Sequence, residues 1–265
     1  MGAMTERTGT AAAAVTGGAS GIGLAIASRL AAEGARVAIA DIDGPAVTSA
    51  AEAIGARPFV VDVTDQGSVD AFAAQVAAEL GQVDLLVSNA GVASVAPLAE
   101  MNDADWDWLL GVNLYGTAHA VTAFLPQLRA SGGRILLTGS MAGLSPDAGM
   151  GGYGVTKFAI TAYAEVLAEE LAADGIGVTL LAPGPVRTRL GSSSRNRADA
   201  GAGGLRDVDL SAGDGGGLRW IEPDEVAAVA LRAVAEGRRY AITHPDWADV
   251  VERRHRAIEA AFRDA

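Results

Sequence analysis

Short apolar runs alternate with amphipathic segments along most of this chain. Near-continuous apolar strands separated by helices indicate a parallel sheet that is covered on both faces. We therefore predict a three-layer α/β/α doubly wound parallel sheet of about seven strands, the Rossmann fold, in preference to an eight-unit barrel. Strands are predicted at 11–16, 35–41, 57–63, 83–89, 133–139, 176–182 and 239–243. Helices are predicted at 21–33, 44–54, 67–80, 103–130 with an interruption, 153–173, 222–236 and 246–263.

One region breaks this rhythm. Residues 190–219 are rich in Gly, Ser, Arg and Asp and show little periodicity. A long irregular loop inside a compact domain is usually a functional lid or is disordered. We therefore predict one domain over 10–265, with a substrate-loop insertion at about 188–220. Residues 1–9 are predicted to be disordered or tag-derived.

Composition narrows the classes of function. The 265 residues include no cysteine, which excludes disulfides, thiolate catalysis and zinc–sulfur sites and favours a reducing, cytoplasmic location. The histidines, His119, His244 and His255, lack metal-ligand spacing, so no metal site is predicted. No apolar stretch reaches the roughly 18–20 residues of a membrane span. A net charge of −12 repels nucleic acid and anionic membranes, so neither is expected as a partner.

A glycine-rich turn follows the first strand in "VTGGASGIGLAI". Gly17, Gly21 and Gly23 have the spacing G-x-x-x-G-x-G, and the helix predicted at 21–33 begins there. Glycines at these positions allow a tight turn and let the backbone approach a pyrophosphate, which the positive end of the helix then favours. The sequence therefore predicts a dinucleotide site at this turn, which also includes Ser20 and Ile22.

An aspartate ends the second predicted strand. Asp41 lies 24 residues after Gly17, where a carboxylate can accept hydrogen bonds from the hydroxyls of the adenosine ribose. The same carboxylate would repel a 2′-phosphate. The turn offers no nearby cation, and Ile42 follows the aspartate. We therefore predict NAD as the cofactor, with NADP less favoured.

A phenol and an ammonium lie one helical turn apart in "GGYGVTK". Pairs with the spacing of Tyr153 and Lys157 are common on helix surfaces, so the spacing alone decides nothing. Proton transfer to or from an alcohol needs an acid or base, and a free phenol has a pKa near 10. A nearby ammonium is expected to lower the pKa of the phenol. Ser140, 13 residues upstream at the end of a strand, can hold the substrate oxygen.

These motifs together resemble the short-chain dehydrogenase/reductase family in its single-domain form. The resemblance covers about residues 10–245 and includes "SNAG" at 88–91, which departs from the family's N-N-A-G at its first position, "VNLYG" and "PGPVRT". It implies that Asn113, Ser140, Tyr153 and Lys157 are catalytic. In that role Asn113 would hold a water that relays protons through Lys157, and Lys157 would also bind the nicotinamide ribose. Further cofactor contacts implied by the resemblance are Asp62, Val63, Asn89, Ala90, Gly91, Tyr153, Lys157, Pro183, Gly184, Val186 and Thr188.

The expected function is an NAD(H)-dependent oxidoreductase that interconverts a secondary alcohol and a ketone. An NADP-dependent 3-oxoacyl-carrier-protein reductase is the alternative, and a non-catalytic NAD-binding protein is a remote one. A mostly apolar pocket suits a hydrophobic small molecule. The pocket is predicted to include Ser140, Met141, Leu144, Met150, Tyr153, Leu190 and Trp220.

Two further expectations concern packing and assembly. Trp106 and Trp108 are interpreted as core or interface residues, since this is the usual role of tryptophan on a helix. The resemblance implies a homodimer or homotetramer that forms through the helices predicted at 153–173 and 222–236. Their alanine-rich faces permit close packing, although packing within one chain explains those faces equally well.

Overall fold

Seven parallel strands form one sheet in the computed structural model, which describes residues 10–148, 150–197, 207 and 219–264. The strand order is β3-β2-β1-β4-β5-β6-β7, which confirms the predicted doubly wound sheet. The strands are β1 Ala12–Thr16, β2 Arg36–Asp41, β3 Arg57–Val60, β4 Leu85–Ser88, β5 Arg134–Thr138, β6 Gly177–Ala182 and β7 Tyr240–Ile242.

Helices cover both faces of the sheet and create two hydrophobic cores. Phe72, Phe124 and Ile160 belong to the core on one face, under α3, α5 and α6. Ile26 and Leu231 belong to the core on the other face, under α1, α2 and α7. The helices are α1 Gly21–Ala32, α2 Gly44–Ile54, α3 Gln66–Leu80, α4 Asp103–Leu110, α5 Gly116–Ser131, α6 Gly151–Glu170, α7 Pro223–Ala235 and α8 Ala248–Arg263.

The central and edge strands differ in a way that their sequences explain. Strand β1 is mostly alanine and completely buried, so helices can approach the sheet closely from either side. Strand β3 lies at the edge of the sheet and contains Pro58. Proline has no backbone N–H to donate, and an edge strand tolerates this loss because one side of the strand has no neighbouring strand. This strand ends at Val60, three residues before its predicted end.

The helical pattern predicted at 103–130 is interrupted, as expected. A single π-helical turn, Gly111–Tyr115, separates α4 from α5, and Asn113 lies within it. Such turns widen the backbone ladder locally and frequently occur at functional sites. The interruption therefore places Asn113 in an irregular part of an otherwise regular helix.

The chain reverses its winding direction between β3 and β4. It builds the β1-β2-β3 half first and then returns to place β4 on the other side of β1. Loops that follow β1 and β4 consequently diverge and leave a crevice at the carboxyl edge of the sheet. Open α/β sheets bind their ligands at this position.

Some predictions concern segments outside the described residues. These are the N-terminal stretch 1–9 and most of the loop predicted at 188–220. The described beginning of that loop forms a 3-10 segment, Arg189–Asn196. Within the described ranges, none of the helices combines the length and apolar composition that crossing a membrane requires. Across the same residues, the His, Asp and Glu side chains form no cluster of three suited to a metal ion.

Candidate active site

A cavity of about 600 Å³ opens along the carboxyl edge of the sheet. Loops that follow β1, β2, β4, β5 and β6 line it, as expected at the switch point. Every predicted cofactor contact except Gly23 lies on its wall. These residues are Gly17, Ser20, Gly21, Ile22, Asp41, Ile42, Asp62, Val63, Asn89, Ala90, Gly91, Tyr153, Lys157, Pro183, Gly184, Val186 and Thr188.

The glycine turn has the backbone that a phosphate cradle needs. Gly17 and Gly21 have φ angles of +64° and +56°, a region that side chains strongly disfavour. A Cβ atom on Gly17 would lie 2.8 Å from the Cα of Ala90, which belongs to the loop after β4. A Cβ atom on Gly23 would lie 2.2 Å from the carbonyl oxygen of Gly17. Gly23 therefore lets α1 pack closely on the turn, and it does not line the cavity.

The end of the cavity that the loop after β2 forms is acidic. The carboxylate of Asp41 accepts hydrogen bonds from the backbone N–H groups of Ala19 and Asp43, both at 3.2 Å. Asp43 lines the cavity too and caps α2 through the N–H of Ala46. Lys157 and Arg189 are the cations among the described lining residues, and they follow β5 and β6 on the other half of the sheet. The described cations of the wall are thus on the half of the sheet opposite Asp41 and Asp43.

The glycines before Tyr153 are required by packing. Gly151 has φ +45°, and a Cβ atom there would lie 2.0 Å from the carbonyl oxygen of Ala96. A Cβ atom on Gly152 would lie 2.5 Å from the methyl group of Met101. Helix α6 can therefore begin directly against these two segments. This contact brings Tyr153 to the wall of the cavity with only 7% of its surface exposed.

Lys157 is the sole lysine of the chain and is also buried. Its Nζ donates a hydrogen bond of 2.9 Å to the carbonyl oxygen of Thr138 and lies 5.6 Å from the centroid of the Tyr153 ring. Burial lowers the pKa of Lys157 to about 8. A Cβ atom on Gly91 would lie 3.7 Å from the same Nζ, so the missing side chain keeps the ammonium accessible from the cavity.

The phenol behaves differently from the sequence-based argument. Burial raises the pKa of Tyr153, while a hydrogen bond with Ser140 acts in the lowering direction with a smaller effect. The expected lowering of the pKa of the phenol by Lys157 is not found in this structure, because removal from water raises that pKa. A buried phenol that keeps its proton is suited to donate it, which is the acid half of acid–base catalysis.

Ser140 has two contacts besides Tyr153. Its Oγ accepts a hydrogen bond of 3.1 Å from the N–H of Ala142 and thereby caps the short 3-10 turn Met141–Gly143. The same Oγ lies 3.5 Å from the carbonyl oxygen of Pro183. Ser140 therefore caps a turn, as serine commonly does, and also lies beside the phenol of Tyr153.

Asn113 is buried away from the cavity wall and ties two elements together. Its side-chain amide donates to the carbonyl oxygen of Val92 at 3.0 Å and to Oγ1 of Thr156 at 2.9 Å. Its side-chain oxygen accepts from the N–H of Val92 at 2.8 Å. Thr156 in turn donates to the carbonyl oxygen of Tyr153 at 2.8 Å. Through these bonds, the π-helical turn fixes both the loop after β4 and the first turn of α6.

Comparison with known proteins decides the family. The family model described as short chain dehydrogenase matches residues 11–199. The chain belongs to the short-chain dehydrogenase/reductase family. The short-chain dehydrogenase/reductase from Burkholderia phymatum, solved in complex with NAD, superposes with a TM-score of 0.88 and is 31% identical, covering 94% of each chain.

Curated relatives include enzymes of similar length and longer proteins. D-threitol dehydrogenase from Mycolicibacterium smegmatis is 38% identical and aligns over 83% of this chain and 84% of its own length. A second relative, "Probable oxidoreductase EphD" of Mycobacterium tuberculosis, is 35% identical over 83% of this chain. The chain spans 38% of the length of that longer protein.

The remaining part of the cavity of this short-chain dehydrogenase extends beyond Tyr153. Ser140, Met141, Met150, Leu190 and Trp220 line it, as predicted. Leu144, which follows the 3-10 turn Met141–Gly143, does not line it. It lines a separate cavity of about 320 Å³ with residues from β7 and α8.

Sequence reasoning missed two tryptophans at this end. Trp108 was interpreted as a packing residue, but it lines the cavity from α4, and Trp247 lines it from the segment before α8. With Trp220, three of the four tryptophans of the chain lie on this wall. Trp108 is close in sequence to Asn113 and the π-helical turn, which is a signal for its place, whereas Trp247 comes to the site only through the tertiary fold. Ser145, Asp147 and Ser193 add polar groups nearby.

Proposed function

We propose that this protein is an NAD(H)-dependent oxidoreductase that interconverts a secondary alcohol and a ketone. The observation that carries the proposal is the meeting of Tyr153, Ser140 and Lys157 at one wall of a cavity whose other end is a glycine cradle. A bound dinucleotide supplies the site that accepts or donates the hydride. The residues of the chain hold the reactants and move the proton.

Three side chains at the cavity wall and one positioning residue share the work of the proposed reaction. During reduction, the hydroxyl of Tyr153 donates its proton to the ketone oxygen, and in oxidation the same oxygen takes the proton of the alcohol. Ser140 donates a hydrogen bond to the substrate oxygen and stabilises the charge that develops there. Lys157 orients the ribose and supplies positive charge beside the phenol. Asn113 positions Tyr153 through Thr156.

NAD rather than NADP is the cofactor that the acidic adenosine end supports. Asp41 and Asp43 both line this end, and Asp41 is held in place by two backbone N–H groups. A carboxylate fixed in this way can receive ribose hydroxyls as donors but repels an added phosphate. The NAD complex of the Burkholderia relative agrees with this preference.

The substrate that the wall supports best has a large, flat or apolar substituent on the reacting carbon. Trp108, Trp220 and Trp247 provide broad apolar surfaces, to which Met150 and Leu190 add flexible ones. Aromatic side chains stack on flat groups and bury large areas. An aryl ketone such as acetophenone, or the matching alcohol 1-phenylethanol, is therefore the first substrate to test.

A polyol is a second substrate class favoured by particular residues. Ser145, Asp147 and Ser193 bring hydroxyl and carboxylate groups to the same wall. The D-threitol dehydrogenase relative acts, by its name, on a polyol. Hydroxyl groups of such a substrate would find acceptors and donors at these three residues.

We also propose a homodimer or homotetramer, formed through α6. This helix leaves Val155 and Val166 exposed at 43% and 56% of their surfaces. The apolar face of α7 instead packs on the sheet of its own chain, so α7 is the weaker of the two predicted contacts. Light scattering of the purified protein and of a Val166→Asp variant tests this assembly. A monomer for the unaltered protein contradicts it.

A substrate screen tests the proposed function. Purified protein is incubated with 1-phenylethanol, D-threitol and propan-2-ol plus NAD or NADP, and with acetophenone plus NADH or NADPH, while the nicotinamide absorbance is followed. The proposal expects turnover with NAD(H), fastest with the aryl substrates. Binding of NADH without turnover of any compound would contradict the enzymatic assignment.

A further inference from the structure

The segment that follows β6 is fastened over the substrate end of the cavity. We call residues 189–197 the strap. The N–H of Ala93 donates a hydrogen bond of 3.3 Å to Oγ of Ser193, which is 3% exposed and lines the cavity. Arg197 lies at the far end of the strap. It reaches α4, which is the helix that carries Trp108.

Arg197 and Asp105 form a buried ion pair. Nη1 of Arg197 lies 2.7 Å from Oδ1 of Asp105, and the two side chains are 5% and 0% exposed. Oδ2 of Asp105 accepts the N–H of Asn102, at 3.1 Å, in the capping box of α4. Both carboxylate oxygens therefore have partners. Removing two charges from water costs free energy, so a buried ion pair contributes little net stability to the fold. A role other than stability is therefore sought for this pair.

The same guanidinium lies against a wall of the cavity. Cζ of Arg197 is 5.7 Å from the centroid of the Trp108 ring, within the range of a cation–π contact. Trp108 is half-buried and also lines the cavity. One side chain thus connects the strap, the N-terminal turn of α4 and an indole that faces the substrate end.

We propose that Arg197 is a positioning residue that sets substrate preference by locking the strap to α4 and holding Trp108 as a wall for the large substituent of the substrate. The inference rests on the proposed function, since it concerns which alcohol that site accepts. Arginine is suited to this role because its planar guanidinium can pair with a carboxylate and stack on an indole simultaneously, whereas an ammonium offers no flat surface.

The first experiment measures KM and kcat for two alcohols, 1-phenylethanol and propan-2-ol, at saturating NAD. The key variant is the double substitution Arg197→Met with Asp105→Asn, which leaves no buried charge and keeps an oxygen for the N–H of Asn102. We expect the KM for 1-phenylethanol to rise at least about tenfold. The KM for propan-2-ol should change less than about threefold, because only the larger alcohol reaches the wall that Trp108 forms. The kcat for both and the affinity for NADH should stay within about threefold of the unaltered protein.

Two further variants separate positioning from folding. Arg197→Lys keeps the charge but not the flat surface, so we expect it to retain the melting temperature better than Arg197→Met while still raising the KM for 1-phenylethanol. Arg129→Met breaks the exposed ion pair with Asp174 and serves as the matched control, with no change in either KM. A double variant with an unchanged KM for 1-phenylethanol overturns the proposal, because the ion pair would then be structural only.

Hydrogen exchange tests the strap without relying on catalysis. In the double variant, the amides of residues 189–197 should exchange at least about tenfold faster, while those of β1 and β4 keep their protection. Unchanged exchange in the strap overturns the proposal. This measurement tests the locking of the strap to α4 even if the unaltered protein oxidises neither alcohol, a result that counts against the proposed function, whereas the KM values test the effect of that lock on substrate preference.

Discussion

Replacement of Asp41 by asparagine should weaken the discrimination against NADP. Asparagine has nearly the same shape and keeps an oxygen for the N–H of Ala19, so the change removes the charge and the acceptor of the N–H of Asp43. Two unit charges about 4 Å apart interact by about 1 kcal/mol in water and about 4 kcal/mol at an effective dielectric constant near 20. A 2′-phosphate carries a charge of about −1.5 to −2 at neutral pH. Because Asp41 is half-exposed, the lower part of this range applies, about 2 kcal/mol.

The assay is the dissociation constant of NADH and NADPH, measured by nicotinamide fluorescence at fixed salt. About 2 kcal/mol corresponds to roughly thirtyfold tighter NADPH binding by the Asp41→Asn variant. NADH should bind about five- to tenfold more weakly, since a hydrogen bond to a charged acceptor becomes one to a neutral acceptor. Asp70→Asn removes an equal charge from exposed α3, away from the cavity, and should change neither value. Unaltered NADPH affinity in Asp41→Asn, or a preference of the unaltered protein for NADPH, would refute the reasoning.

Three other predictions follow from the site. As Lys157 is the sole lysine, its titration can be followed by NMR of ε-¹³C-labelled lysine, with a midpoint near pH 8 expected in place of 10.5. As the pH rises, the folded chain then releases this proton at a lower pH than the unfolded chain does. The free energy of unfolding should therefore rise by up to about 3 kcal/mol between about pH 8 and pH 10.5. The Lys157→Met variant should lack that rise. Ser140→Ala should lower kcat by about 10²- to 10³-fold, because the variant loses a donor to the developing oxyanion, and NADH should bind normally. An unchanged kcat would contradict the role of Ser140 as that donor. Gly23→Ala places a Cβ atom against the Gly17 carbonyl and should destabilise the fold by about 1–3 kcal/mol in chemical denaturation. Gly177→Ala, whose nearest neighbour would be 3.8 Å away, is the control with little effect.

The order of elements followed from the sequence because its pattern was strong. Apolar strands alternate with helices whose apolar faces repeat at helical spacing, and these local features persist in the fold. The break near Asn113 was also foreseen, since asparagine has a low helix propensity. The structure adds that the break is a π-helical turn and that the side chain of Asn113 joins Val92 to Thr156.

Features that depend on distant parts of the chain could not be read in advance. The acidity of Tyr153 depends on how deeply the phenol is buried, which no local pattern gives. Leu144 lines the second cavity and Trp108 lines the first one, because the tertiary fold decides which side chains face each cavity. The Arg197–Asp105 pair joins residues 92 positions apart, so its existence follows only from the tertiary structure.

The measurement that tests the central claim most directly is the activity of Tyr153→Phe with the best substrate of the screen. Phenylalanine keeps the ring in its buried site and removes only the hydroxyl that hydrogen-bonds Ser140. The account predicts that kcat/KM falls by about 10²- to 10⁴-fold, the usual contribution of an acid–base group, while NADH affinity and melting temperature stay close to those of the unaltered protein. A variant that binds NADH normally and retains its activity within about threefold would contradict the assignment of Tyr153 as the group that transfers the proton.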